Sequence, residues 1–192
     1  MGFGSWNINV SKNMPEKVAT AMSEIGDYML GAEYKPIAYL GHQQANGLNH
    51  AVLAEQTVLS GKDTKNIVLI IFNEKPNDMK ATVVGIERIL ESGGEFGGVT
   101  VDVKIELSGD AKDVWNTAFE GFVGSDLDPF AVLGTQVTNG VEYIYAVKVT
   151  PVTEHGVATV KIVSINNVEK VVRFVDVLPS KFEASLGYSF TW

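Results

Sequence analysis

Hydrophobic and polar positions follow the same pattern twice along the chain, at an offset of 93 residues that carries Pro36 onto Pro129. Residues 6–10 and 99–103 alternate between apolar and polar side chains, which predicts a strand, because successive strand side chains point to opposite faces. After each strand, apolar residues recur at i, i+1, i+4, i+8 and i+9, which predicts a helix with one apolar face. These residues are Ala21, Met22, Ile25, Met29 and Leu30 in the first half, and Val114, Trp115, Ala118, Phe122 and Val123 in the second.

Glycines mark the ends of the predicted helices and the turns that follow them. Gly31 and Gly124 are predicted to end the two helices, since glycine readily adopts the left-handed conformation at a helix C-terminus. Asn46-Gly47 and Asn139-Gly140 predict tight hairpin turns, because both residue types tolerate positive φ. Further strands are predicted at residues 67–72, 81–90, 157–165 and 186–192. The sequence therefore predicts an α+β fold in which each half is one helix packed on an antiparallel β-sheet.

The two halves are most alike around the first hairpin. Residues 36–50 and 129–143 are identical at seven of fifteen positions, where about one match is expected by chance. The same offset places Gly4 on Gly97, just before the first strand of each half. We therefore predict two tandem domains, residues 1–93 and 94–192, joined at the glycine-rich segment 91–95.

Composition and charge narrow the classes of partner. The chain has 192 residues, of which 45% are hydrophobic and 20% charged, as in proteins with a folded core. A net charge of −8 argues against nucleic acid and anionic membranes as partners, since both attract clustered Lys and Arg. The chain lacks cysteine, any stretch long and apolar enough to span a bilayer, and any pattern of a secretory signal. We expect a soluble cytoplasmic protein.

The sequence predicts no catalytic residues, no cofactor and no metal, because none of the common catalytic or phosphate-binding motifs occurs. His42 and His50 flank the first Asn-Gly turn, but a metal site would need further ligands. We expect His50 to be partly buried and hydrogen-bonded. Trp115, Phe119 and Phe122 are interpreted as the seat of the second helix on its sheet rather than as a ligand platform.

The order of elements, and the stretch 136–143 with its Gln-x-x-x-Gly hairpin, resemble the cystatins. In that family a glycine before the first strand, this hairpin and a second hairpin with Pro-Trp form a wedge. The wedge occludes the active-site cleft of papain-like cysteine proteases, and the inhibitor itself catalyses no reaction. Thr138 and Ala45 stand where the family has a central Val, and no Pro-Trp follows in either half. The resemblance implies these partner-binding residues: Gly4, Gln43, Asn46, Gly47, Gly97, Gln136, Val137, Thr138, Asn139 and Gly140.

Three functional hypotheses remain open. The first is a non-enzymatic protein-binding module, with inhibition of a cysteine protease by occlusion as the activity that the resemblance implies. The second is an intracellular structural or assembly protein, and the third is a small-ligand-binding protein. The plainer interpretation of the hairpins is that Asn-Gly makes a tight turn and Gln pairs locally. A glycine at the tip would equally let the backbone approach a partner closely.

Overall fold

The computed structural model describes residues 4–60, 64–93 and 97–178. These ranges contain ten β-strands and two α-helices. The strands form two antiparallel sheets of five strands each. Of the described residues, those up to Glu91 form a first compact unit and those from Ser92 onward form a second. The boundary predicted from the sequence lies two residues further along, after residue 93.

The first unit is a meander, in which strands that follow one another in the chain are neighbours in the sheet, in the order β1-β2-β3-β4-β5. Its elements are β1 (Trp6–Ser11), α1 (Glu16–Tyr28), β2 (Ala32–Ala45), β3 (Gly47–Val58), β4 (Thr64–Glu74) and β5 (Thr82–Glu91). The β2–β3 hairpin turns at Asn46, as the sequence predicts, and Gly47 has a φ of +98°. Only glycine adopts this conformation without strain.

The second unit repeats this order of elements, and its sheet runs β10-β9-β8-β7-β6. Its elements are β6 (Val99–Lys104), α2 (Gly109–Ala118), β7 (Ser125–Thr138), β8 (Gly140–Pro151), β9 (Thr159–Asn166) and β10 (Val172–Leu178). The β7–β8 hairpin turns at Asn139, the second predicted position. The strand predicted at residues 186–192 lies outside the described residues.

The helices contribute unequally to the two cores. On α1 the side chains of Val18, Ala21, Met22 and Ile25 are buried. They belong to one apolar cluster with β-strand residues such as Phe72. On α2 the one buried residue is Trp115. Its ring meets that of Tyr145 edge to face, with 5.1 Å between centroids. The helix is thus a substantial part of the first core and a minor part of the second.

The predicted fold class, one helix packed on a sheet in each half, is wrong. The structure is mostly β, with ten strands in two antiparallel sheets and 14% of residues in helices. The apolar stripe predicted helices as far as Leu30 and Val123, but α1 ends at Tyr28 and α2 at Ala118. Leu30 is 90% exposed and Val123 86%, so neither extends the buried face of its helix. Gly31 and Gly124 directly precede the first residues of β2 and β7, so they lead into strands rather than end helices.

Candidate functional site

In each unit, three segments that are distant in sequence converge at one end of the sheet. We name the hairpin turns tip 1 (residues 43–47) and tip 2 (residues 136–140). The loops between the last two strands are loop 1 (residues 75–81) and loop 2 (residues 167–171). In the first unit the Gly4 N–H donates to the Gln44 carbonyl, with 2.9 Å between N and O. Leu48, just past tip 1, pairs with Glu74, so loop 1 begins beside the tip.

The second unit has the same arrangement. Val99 pairs with Gln136, so the residues before β6 lie beside tip 2. Glu142 pairs with Asn166, so loop 2 begins on the other side of the tip. We call the segment before the first strand of each unit the trunk, with Gly4 and Gly97 as the trunk glycines. The antiparallel meander therefore places a trunk glycine, a hairpin tip and a second loop together in both units. This is the arrangement that the partner-binding hypothesis requires.

Tip 1 is held by buried amide side chains. Gln43 is only 3% exposed, and its Oε1 accepts a hydrogen bond from the Asn49 side-chain amide at 3.2 Å. Asn73 donates to Asn49 Oδ1 at 2.8 Å and to the Asn46 carbonyl at 3.3 Å. Buried polar groups need such partners, since an unsatisfied one is costly. Gln43, a predicted partner-binding residue, therefore faces inward and positions the tip.

Gly47 is required by the close approach of its neighbour strand. A Cβ atom at this position would lie 2.4 Å from the carbonyl oxygen of Glu74. That is much closer than van der Waals contact allows, so any side chain would push the hairpin away from β4. Asn46 is exposed at the turn. Of the tip 1 residues predicted to bind a partner, Asn46 is the one whose side chain faces outward.

Behind tip 1 lies a chain of polar side chains that joins β2, β3, β4 and α1. The Tyr39 hydroxyl lies 3.0 Å from His50 Nδ1. His50 Nε2 lies 3.3 Å from Glu74 Oε2. The other Glu74 oxygen, Oε1, lies 3.0 Å from Lys17 Nζ. The sequence shows each of these residues but not their contact, because they are separated by up to 57 positions between Lys17 and Glu74.

Burial and hydrogen bonding both shift the pKa values in this network. His50 is 2% exposed, and burial lowers the pKa of its imidazole, although Glu74 partly opposes the shift. The hydrogen bond from Lys17 lowers the pKa of the Glu74 carboxyl. Burial raises the pKa of Tyr39 to about 12. A neutral imidazole between a phenol and a carboxylate is a proton-relay arrangement, but Tyr39 and His50 are inaccessible to a substrate. The network therefore holds the hairpin to the helix.

Tip 2 differs from tip 1 because its side chains are exposed and its hydrogen-bond partners come from β9 and loop 2. Val137 is 66% exposed, and Thr138 and Asn139 are exposed as well. The Asn166 amide donates to Thr138 Oγ1 at 2.8 Å, so β9 supports the tip. The Val141 N–H donates to Asn167 Oδ1 at 2.9 Å. Tip 2 is therefore an exposed turn with a fixed backbone.

Two glycines allow this fit. Gly140 has a φ of +105°, and a Cβ there would lie 2.6 Å from Val168 Cγ2 of loop 2. Gly97 has a φ of +73°, and a Cβ there would lie 3.0 Å from the Val137 carbonyl oxygen. The Gln136 side-chain amide donates to the Gly97 carbonyl. Gln136 thus ties the trunk to the tip, rather than pointing inward as Gln43 does.

The exposed apolar side chains at this end include one that sequence reasoning missed. Val168 of loop 2 is exposed and lies against Gly140 at tip 2. With Val137 and Val171, which is 39% exposed in the same loop, it gives the end of the second unit three exposed valines. In the first unit, Met79 of loop 1 is the most exposed large apolar residue of the described chain. In the sequence, the only indication of an exposed Val168 is that a valine interrupts the polar stretch 166–170.

Comparisons with known proteins return no match, either to a protein-family model or to a curated protein sequence. Over the ranges that the structure describes, no helix has both the length and the apolar character needed to cross a membrane. In the same ranges, no three His, Asp or Glu side chains are grouped so as to hold a metal ion. The rings of His42 and His50 lie 6.5 Å apart, centroid to centroid.

Proposed function

We propose that the chain is a non-enzymatic protein-binding module that inserts tip 2 into a groove of its partner, flanked by Gly97 and loop 2. The observation that carries the proposal is that tip 2 is exposed and yet fixed on both sides. Gln136 binds it to the segment before β6, and Asn166 of β9 and Asn167 of loop 2 hold its other side. A turn that is already ordered loses little conformational entropy on binding, which favours affinity.

The side chains at this end suit an apolar groove. Val137 and Val168 are both more than half exposed, and burying an exposed valine contributes about 1.5 kcal/mol. Thr138 and Asn139 add hydrogen-bonding groups at the turn itself. Tip 1 is the weaker candidate, because Gln43 is buried and Asn46 alone of its predicted residues turns its side chain outward. Gly4, Asn46 and Gly47 would form a secondary contact.

A papain-like cysteine protease is the class of partner that we propose to test first. The support is the juxtaposition of trunk glycine, hairpin tip and second loop, which is the arrangement through which cystatins occlude the protease cleft. Binding of this kind needs no chemistry by the chain, since a wedge blocks the substrate by filling its place. Val137 and Val168 would take the positions where an apolar contact with the cleft is needed.

The proposal is tested by titrating papain with the full chain and measuring hydrolysis of a small peptide substrate. We expect inhibition at micromolar concentrations. Val137→Glu should weaken it by about 100-fold, since an unpaired charge would be buried. Val157→Glu is the matched control, because Val157 is 60% exposed and lies before β9, at the opposite end of the sheet.

Two results would contradict the proposal in different ways. If the chain leaves papain fully active, the protease is not its partner. If Val137→Glu inhibits as well as the unaltered chain, tip 2 is not the inserted element even where inhibition exists. Equal losses in the Val137 and Val157 variants would indicate a general effect of added charge.

A further inference from the structure

Each unit has a groove between its helix and the loop before its last strand. Groove 1 has a volume of about 350 Å³ and groove 2 of about 330 Å³. Three helix positions that line groove 1 recur in groove 2 at the 93-residue offset. They are Ala21, Glu24 and Ile25 on α1, and Val114, Thr117 and Ala118 on α2. The grooves are therefore equivalent features of the two repeats, and differences between them reflect their side chains.

A lysine stands at the same place in both grooves. Lys80 and Lys170 each come two residues before the first residue of the last strand. In groove 1 the Lys80 ammonium pairs with the Glu24 carboxylate and donates to the Tyr28 hydroxyl at 3.0 Å. It also lies 5.1 Å from the centroid of the Tyr28 ring. The cation of groove 1 is thus satisfied within the chain.

Groove 2 lacks both of these partners. Thr117 replaces Glu24, and Gly121 replaces Tyr28 at the same offset. Across the described ranges, Lys170 forms no ion pair, and neither does Asp113, which also lines this groove. Lys170 also has a φ of +53°, a conformation that favours glycine. The lysine at position 170 therefore adopts this backbone conformation at some energetic cost relative to glycine.

The rest of the groove 2 lining combines aliphatic and neutral polar side chains. The aliphatic ones are Val114 and Ala118 of α2 with Ile165 and Val172 of the last two strands, and the polar ones are Thr117, Asn166 and Asn167. The groove therefore offers an apolar floor, a cation from the loop and a carboxylate from the helix, with the two charges too far apart to pair directly. A volume near 330 Å³ is at the small end of the range for small-molecule sites, about 300–1,000 Å³.

We propose that groove 2 binds a zwitterionic aliphatic amino acid. Its carboxylate pairs with Lys170, its ammonium with Asp113, and its side chain packs on the apolar floor. Groove 1 shows the first of these contacts within the chain, because Glu24 presents a carboxylate to the equivalent lysine. A simple anion fits less well, since Asp113 would repel it, and a simple cation would meet Lys170. The proposal does not depend on the binding of a protein at tip 2.

Isothermal titration calorimetry of the full chain with L-leucine tests the charge pattern. We expect saturable binding with a Kd of about 1 mM or lower. Two analogues separate the contributions: 4-methylpentanoate lacks the ammonium, and 3-methylbutylamine lacks the carboxylate. Each should bind at least about ten-fold more weakly than leucine, since each leaves one charged residue of the groove unpaired. Absence of leucine binding at about 10 mM would overturn the proposal.

Variants locate the site. Lys170→Met and Asp113→Asn should each weaken leucine binding by about ten-fold or more. Thr117→Glu restores the carboxylate of groove 1 beside the lysine and should abolish binding, whereas Thr117→Gln, of matched size, should retain it. Lys112→Met is the control for lysine loss, because Lys112 is exposed on α2 but does not line the groove.

Two results of the variant series would contradict a leucine site in groove 2. If Thr117→Glu and Thr117→Gln bind leucine equally, no carboxylate site exists beside Lys170. If Lys112→Met weakens binding as much as Lys170→Met does, the attraction is a general charge effect. Amide hydrogen exchange of residues 109–118 checks that α2 stays folded in each variant, so that a lost helix is not mistaken for a lost site.

Discussion

The hydrogen bond between Tyr39 and His50 should stabilise the first unit measurably. Deleting one oxygen atom, the Tyr39 hydroxyl, removes this bond. Tyr39→Phe deletes the hydroxyl, whose oxygen lies 3.0 Å from His50 Nδ1, and leaves the ring in place. Both residues are nearly fully buried, so water cannot replace the lost partner. The imidazole nitrogen is then a buried polar atom without a hydrogen bond.

The expected cost follows from that geometry. Leaving a buried neutral group unsatisfied costs about 1–3 kcal/mol, whereas removing both partners of a bond is much less costly. Tyr39→Phe and His50→Leu should each therefore destabilise the first unit. The double variant should destabilise it by less than the sum of the two, with a coupling energy of about 1–2 kcal/mol.

Amide hydrogen exchange measured by mass spectrometry separates the two units in one experiment. The slowest amides of β3 report opening of the first unit, and those of β8 belong to the second unit and serve as an internal reference. A loss of 1–3 kcal/mol corresponds to exchange about 5- to 150-fold faster in β3. Tyr28→Phe is the matched control: its hydroxyl accepts a hydrogen bond from Lys80, but Tyr28 is 68% exposed, so water can replace that bond and we expect a change of about 0.5 kcal/mol or less.

Any of three outcomes would contradict a local coupling between Tyr39 and His50. Unchanged exchange in β3 would mean that the Tyr39 hydroxyl contributes nothing to His50. Strictly additive effects of Tyr39→Phe and His50→Leu would mean that the two side chains act separately and that each cost has another origin. Equal acceleration in β3 and β8 would show a global effect rather than one confined to the first unit.

Two further predictions concern pH and the first hairpin. Because burial lowers the pKa of His50, the unfolded chain takes up a proton at higher pH than the folded unit, so stability of the first unit falls as the pH drops below about 6.5. Urea midpoints at pH 7.5 and 5.5 should show this loss, and His50→Leu should remove it. Gly47→Ala should destabilise by more than about 1 kcal/mol, because Gly47 has positive φ and touches the Glu74 carbonyl. Thermal melts of the variant check this, with Gly26→Ala as the control: Gly26 lies in open space on α1, so this change should stabilise by about 1 kcal/mol.

The two hairpin turns were predictable from the sequence because their signals are local, whereas β10 was not predicted. An Asn-Gly dipeptide between apolar stretches needs only its own backbone to form a tight turn, and both turns lie at the predicted residues. The length of the helices was not predictable in this way. The stripe that ends at Leu30 has helical spacing, but the chain leaves the helix at Tyr28 to join a 14-residue strand. Met29 and Leu30 therefore lie in the connection between α1 and β2, where Gly31 adopts a φ of +89°.

The orientation of the two tip glutamines was also beyond sequence reasoning, because it depends on the cross-strand partner. Gln43 pairs in register with Asn49, whose amide donates to it, so the two side chains satisfy each other and are buried. Gln136 pairs in register with Glu142, which instead accepts from Arg173 Nη1 at 3.0 Å. Gln136 then bonds to the trunk. One motif therefore gives two different tips.

The same contrast recurs at the grooves, and the two contrasts together distinguish the second unit from the first. In the first unit, polar groups at the tip and in the groove are satisfied within the chain, as Gln43 with Asn49 and Lys80 with Glu24. At the matching places the second unit has an exposed tip and a lysine without an ion pair among the described residues. In a duplicated chain, the polar groups of one copy can pair internally and stabilise it, while the other copy retains unpaired groups that can bind ligands. The four buried residues of α1, against one in α2, agree with that division.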